Sequence, residues 1–334
     1  MLTERRLLLL KAIVDEFILS AQPVGSKILT KKYAIPFSSA TVRNEMAKLE
    51  QLGLLEKTHT SSGRVPSIEG YRYYVDYLIE VSQASIDEEW QEFDQLFERK
   101  NQMIQDVIVE AVRLIAKKTK YVAVFLGASS QANRIVQFKM FPVSHNQAAL
   151  VIVTEQGQTD TRFVIVPEPF TLHELDLVVK YFNQYLHHVP LNQVLDKIEQ
   201  ELRPLIAAYV PNYDFFHQAL VDCFSTLTTQ QVYYSGQANL IGTPDFSDLE
   251  KVKQIFDFLE DNQSVAQLKT NKIGTQILMK DDLVGLPDNC VAVTATMRLP
   301  LGGHGTFAII GPTRMDYVHA ISLLQFIAQH IVHE

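Results

Sequence analysis

The chain has 334 residues, 47% of them hydrophobic and 20% charged. That is enough for two or three domains with cores of their own, and it excludes a disordered polymer. The net charge of -8 argues against general affinity for nucleic acid, but the charge is unevenly placed: residues 1–75 hold 11 Lys and Arg against 7 Asp and Glu, and the remainder 19 against 31. Phosphate contact depends on a local basic surface, not on the sum. Two cysteines, Cys223 and Cys290, make neither a disulfide framework nor a thiolate metal site and fit a reducing cytoplasm. The apolar start is cut short by Lys11, Asp15 and Glu16, too early for a signal peptide, and no run reaches the length of a membrane span.

Leu10, Ile13, Val14 and Phe17 fall on one face of a first helix, which Gln22-Pro23-Val24-Gly25 ends. Ser26 is placed to cap a short second helix, SKILTKKY, and Pro36 breaks it. Ser38 or Ser39 caps a third. Val42, Met46 and Leu49 line one of its sides; Ala40, Asn44, Ala47 and Gln51 line the other, flanked by Arg43 and Lys48. Alanines permit close approach, Asn and Gln can pair with adenine, and Arg or Lys can reach guanine or phosphate. Gly53 closes this helix. Leu54–Thr58 reads as a strand, His59-Thr60-Ser61-Ser62-Gly63 as a turn, and Arg64-Val65-Pro66 as the returning strand. Ser67 caps a fourth helix bearing Arg72. The order of helix, helix, polar-faced helix and basic hairpin is that of a winged helix-turn-helix. The expected DNA contacts are Ser26, Ser38, Ser39, Thr41, Arg43, Asn44, Lys48, Gln51, His59, Thr60, Ser61, Ser62, Gly63, Arg64 and Arg72.

A long helix follows, with a stripe from Phe93 to Ile115 that ends at Lys117-Lys118, then a strand at Val122–Leu126. Further strands are expected at Ile135–Phe141, Ala148–Thr154 and Phe163–Val166, and helices near 171–187, 191–209 and 213–228. A helix at 248–260, strands at Ile273–Leu278, Cys290–Leu299 and Thr306–Ile310, and a last helix from Met315 to Val332 complete the chain. Gly302-Gly303-His304-Gly305 reads as a hairpin turn. The class is α+β with a mostly antiparallel sheet, and the meander followed by helices reads as an insertion between two parts of a sheet domain.

No phosphate-binding glycine motif is present. His187-His188 read as a helix end, Asp281-Asp282 as turn residues, and Cys290 as a buried small hydrophobe. No catalytic residue, metal site or cofactor is expected, and the chain is not read as an enzyme.

The segments PVGSKILTKKY, SSATVRNEMAKLEQLGLLEKTHTSSGRVPS and GYRYYVDYL, with GTFAIIGPTRMDY at 305–317, closely resemble the HrcA repressors, the bacterial heat-inducible transcription repressor family. The resemblance spans both ends; the middle matches in layout only. It implies a winged-helix DNA-binding domain at 1–80, a GAF-like domain at 85–128 and 231–334, and an inserted dimerisation domain at 129–230. It also implies a homodimer on an inverted-repeat operator upstream of chaperone operons, kept active by the chaperonin. The alternative is a metabolic regulator gated by a small molecule in the GAF-like domain.

Overall fold

The computed structural model describes residues 2–58, 63–81, 90–98, 104–127, 133–144, 147–155, 159–165, 172–207, 218, 221, 232–241, 244–270, 272–299 and 304–331. Within them the chain is α+β with three sheets, and it forms two compact units. One holds residues 1–126, 232–298 and 305–334; the other holds 127–231 with 299–304.

The first unit begins with α1 (Glu4–Ser20), α2 (Ser26–Lys32) and α3 (Ser39–Gln51). Leu9, Leu10, Ile13 and Val14 of α1 and Val42, Met46 and Leu49 of α3 are buried, as the spacing of apolar residues requires. Ser38 caps α3, its Oγ accepting from the Thr41 amide at 3.2 Å. Ser26 does not cap α2: Gly25 stands at that position, and Ser26 is the first helical residue.

Gly53 sits at φ +75°, in the left-handed region a β-carbon disfavours. Its amide donates to Glu50 and that of Leu54 donates to Leu49, so two of the last carbonyls of α3 are satisfied as the chain reverses. Strands β1 (Leu55–Lys57) and β2 (Arg64–Pro66) pair antiparallel, and Val24 bonds Arg64 in both directions, adding a one-residue third strand. Gly63 is buried against Pro23, where a β-carbon would lie 2.8 Å from Pro23. Ser67 then donates to Gly53 O and accepts from Gly70 N, capping α4 (Ile68–Val81).

The expected long helix is two: α5 (Gln91–Phe97) and α6 (Ile104–Thr119), with 99–103 outside the described residues. Strands β3 (Val122–Leu126), β7 (Val232–Ser235), β8 (Gly274–Leu278), β9 (Cys290–Arg298) and β10 (His304–Pro312) form one sheet in the order β7-β3-β10-β9-β8. One face carries Val122, Val124, Leu126, Ala292, Ala308 and Ile310 and is covered by α10 (Leu249–Glu260) and α11 (Asn262–Ala266). Helix α6 and the last helix, α12 (Tyr317–His330), contribute nothing to that cluster and pack on the strands from the other side. The chain leaves this sheet after Leu126 and re-enters at Val232, its direct partner.

The second unit is a meander, β4 (Ile135–Ser144), β5 (Gln147–Thr154) and β6 (Thr159–Ile165), followed by α7 (Leu172–Tyr185), α8 (Leu191–Lys197) and, through a π-helical turn at Ile198–Leu202, α9 (Arg203–Ile206). Ile135, Phe138, Leu150, Ile152 and Val164 pack against Val178, Phe182, Leu186, Val194, Ile198 and Leu202. Asn183 ties α7 to β4 by bonding both the amide and the carbonyl of Phe138. Of the helix expected at 213–228 only Gln218 and Val221 are described, both helical; of the turn expected at 302–305, Gly302 and Gly303 lie outside the described residues, while His304 and Gly305 belong to β10 because backbone pairing already begins there.

Gly70 makes the tightest approach of the described glycines. A β-carbon there would collide with the carbonyl oxygen of Leu54, so Gly70→Ala forces α4 off the hairpin. The expected cost is about 1–3 kcal/mol, read as a lower melting temperature by circular dichroism; an unchanged melt would show that the contact is slack.

Candidate nucleic-acid interface

Helix α3 has one buried side and one open side. Ser38, Ala40, Arg43, Asn44, Lys48 and Gln51 are exposed; Ser39, Thr41 and Ala47 are half-buried. Arg43 and Asn44 make no side-chain hydrogen bond or ion pair among the described residues. Lys48 reaches Glu45 at 3.0 Å while remaining 49% exposed. Glu45 is buried and also takes Arg6 of α1 at 2.9 Å. Hydrogen bonds from Arg6 and then Lys48 hold its carboxyl below the usual range.

Four of the expected contacts are engaged within the protein. Ser26 is buried, and its hydroxyl lies 2.9 Å from that of Ser39, so the pair braces α2 against α3. Gly63 makes a close approach to Pro23 that a β-carbon would block. Arg64 forks onto Glu50 of α3, at 2.9 Å from Nε and 2.7 Å from Nη2, and its side chain is only 16% exposed. Arg72 reaches Asp282 at 3.0 Å and joins α4 to the far edge of the five-stranded sheet. For Ser26, Arg64 and Arg72 the sequence displays the charge or hydroxyl but not its distant partner. His59, Thr60, Ser61 and Ser62 lie outside the described residues.

Helix α4 is anchored to α1 and to the core. Tyr74 donates its hydroxyl to Asp15, and Tyr71 and Tyr74 pack on Tyr317 with ring centroids 5.8 and 6.4 Å apart. Burial pushes the Asp15 carboxyl above its usual range, against the lowering effect of the Tyr74 bond. These partners were not legible as site-bearing residues; the aromatic run Tyr71–Tyr77 was the available signal.

Elsewhere, burial pushes the Cys290 thiol up to about 12, which suits a packing residue and not a nucleophile. His188 bonds Glu155, and its ring stacks on His187 in the turn after α7. No group of three or more His, Cys, Asp or Glu able to hold a metal occurs among the described residues. Nor is any described helix long and apolar enough to cross a membrane.

Helices α1–α3 with their β-hairpin and the five-stranded sheet in one unit, and the meander with its helices in the other, define an α+β chain of two compact units. The chain belongs to the HrcA family: the model of the HrcA protein C terminal domain matches residues 105–321. Among solved structures, a hypothetical protein at 2.2 Å resolution is 20% identical, with 99% of this chain and 98% of that chain covered at a TM-score of 0.66, so the two share a fold. An IclR family transcriptional regulator from Brucella abortus (12% identical, 98% and 90% covered) and the IclR of Thermotoga maritima (13%, 96% and 94%) superpose at TM-scores of 0.21 and 0.22, too poorly to amount to a shared overall fold.

Proposed function

We propose that the chain is a transcriptional repressor of heat-shock operons that binds an inverted-repeat operator as a homodimer. One observation carries this reading: α3 turns Ala40, Arg43, Asn44, Lys48 and Gln51 outward while Val42, Met46 and Leu49 hold it to the body. A helix with its side chains is about 10–12 Å across and fits a major groove about 12 Å wide. Residues 1–80 are then a winged-helix domain. Asn44 and Gln51 suit adenine edges, Arg43 suits guanine, and Lys48 suits base or backbone. Ser38, Ser39 and Thr41, at the first turn of α3, suit phosphate, and the hairpin tip His59–Ser62 suits the neighbouring groove or backbone.

One head reads only a few base pairs, so a dimer with half-sites one or more helical turns apart is needed. Residues 129–230 are assigned to dimerisation. The open face of their sheet carries Phe141, Val143, Phe163 and Ile165, all more than half exposed. Phe141, Ala149 and Phe163 form one cross-strand row. An apolar patch of this kind can meet its own copy across a two-fold axis.

Residues 85–128 and 231–334 are assigned as a GAF-like scaffold. The space between its sheet and α10 is filled by Leu240, Phe246, Ile255, Phe258, Leu283 and Leu286, which favours a packed core over an effector site. The chaperonin is the proposed partner that keeps the repressor folded. A stability loss of about 1–2 kcal/mol substantially enlarges the unfolded fraction, so occupation of the chaperonin by damaged protein releases the operons.

The test is a gel shift on an inverted-repeat operator at several temperatures, with and without chaperonin. Specific binding restored by chaperonin supports the proposal; indifference to every palindromic duplex at low salt removes it. Arg43→Ala should weaken operator binding by about 1–3 kcal/mol and relax sequence preference; an unchanged preference takes Arg43 out of the reading set. Phe163→Glu should convert dimers to monomers by light scattering, and dimers of normal strength would exclude this sheet face as the interface.

A further inference from the structure

The open side of α3 is bounded on each flank by a carboxylate. At 100° per residue, Glu45 lies beside Lys48 and Glu50 beside Arg43. Helix α3 therefore carries two basic and two acidic residues and no net charge of its own, a poor surface for a polyanion. Each carboxylate is met by an arginine from another element: Arg6 of α1 lies 2.9 Å from Glu45, and Arg64 of β2 lies 2.7 Å from Glu50. Arg6 is 27% and Arg64 16% exposed, so both pairs sit where salt screens them less than it would at the open surface.

We infer that Arg6 and Arg64 are internal counterions of α3: they cancel Glu45 and Glu50, leaving Arg43 and Lys48 to set the field that DNA meets. They are positioning residues, not phosphate ligands. Glu45 is shared between Arg6 and Lys48, so while Arg6 is present the lysine keeps a net positive charge for the duplex. Removal of either arginine uncovers a carboxylate beside the groove-facing residues, and the loss is electrostatic even though no DNA contact has been deleted. This inference rests on the reading of α3 as the DNA-facing helix.

The probe is a mixed-sequence duplex of about 40 base pairs in ~50 mM salt, titrated with the full chain by fluorescence anisotropy. Arg6→Gln and Arg64→Gln should each weaken binding on the order of tenfold. The pairs Arg6→Gln with Glu45→Gln, and Arg64→Gln with Glu50→Gln, should return to within about twofold of wild type. A phosphate ligand is not rescued in this way, so double variants as weak as the singles overturn the inference, as do singles that bind like wild type. Where an arginine variant fails to fold by circular dichroism, Glu50→Gln alone decides. It removes a carboxylate beside the groove-facing residues and should tighten binding several-fold; unchanged affinity overturns the inference. A wild-type chain that binds no duplex at low salt overturns the DNA-facing reading together with it, and is told apart from the other failures by wild type alone.

Discussion

The reversal at Gly53 fixes the course of everything that follows α3. A residue with a β-carbon resists the φ of +75° found there. From this point Leu54 turns back under Leu49, its carbonyl receives Ser67 N, and Gly70 passes so closely that no side chain fits. The hairpin and α4 are therefore aimed by one left-handed residue and one enforced glycine. Helix α4 in turn carries Tyr71 and Tyr74 onto Tyr317 and Arg72 onto Asp282. The pose of α3 relative to the five-stranded sheet is thus transmitted through the contacts of Tyr71, Tyr74 and Arg72.

Much of the head was legible because its signals are local. Pro36, Ser38 and Gly53 punctuate the helices, and the spacing of Val42, Met46 and Leu49 gives α3 its inner side. The strand β7 was not anticipated: Val232–Ser235 is short, and its partner β3 lies a hundred residues earlier, so no local period marks it. The β10 strand runs from His304 to Pro312, longer than its apolar stretch, since backbone pairing continues past the residues that need burial.

The outward residues of α3 were legible in the sequence, whereas the carboxylate partners of two arginines were not. Arg64 and Arg72 advertise phosphate binding in one dimension. Their partners, Glu50 and Asp282, lie 14 and 210 positions away, and nothing in the sequence pairs them. Ser26 misled for the same reason: a serine ahead of a helix resembles a cap until the hydroxyl of Ser39 is found beside it. Charge composition predicts where a field exists; only tertiary pairing decides which charges remain to produce it.

The position of β3 has a consequence for synthesis. Its two neighbours in the sheet are β7, where Leu126 meets Val232, and β10, where Leu126 meets Thr306. A nascent chain therefore emerges with Val122–Leu126 made and both of its hydrogen-bonding edges bare, and the second edge stays bare until His304–Pro312 has been made. Such unpaired apolar edges are what drives stray association during folding. High sequence separation also slows their closure. For this topology the vulnerable period is built into the order of the strands, whatever the stability of the finished molecule.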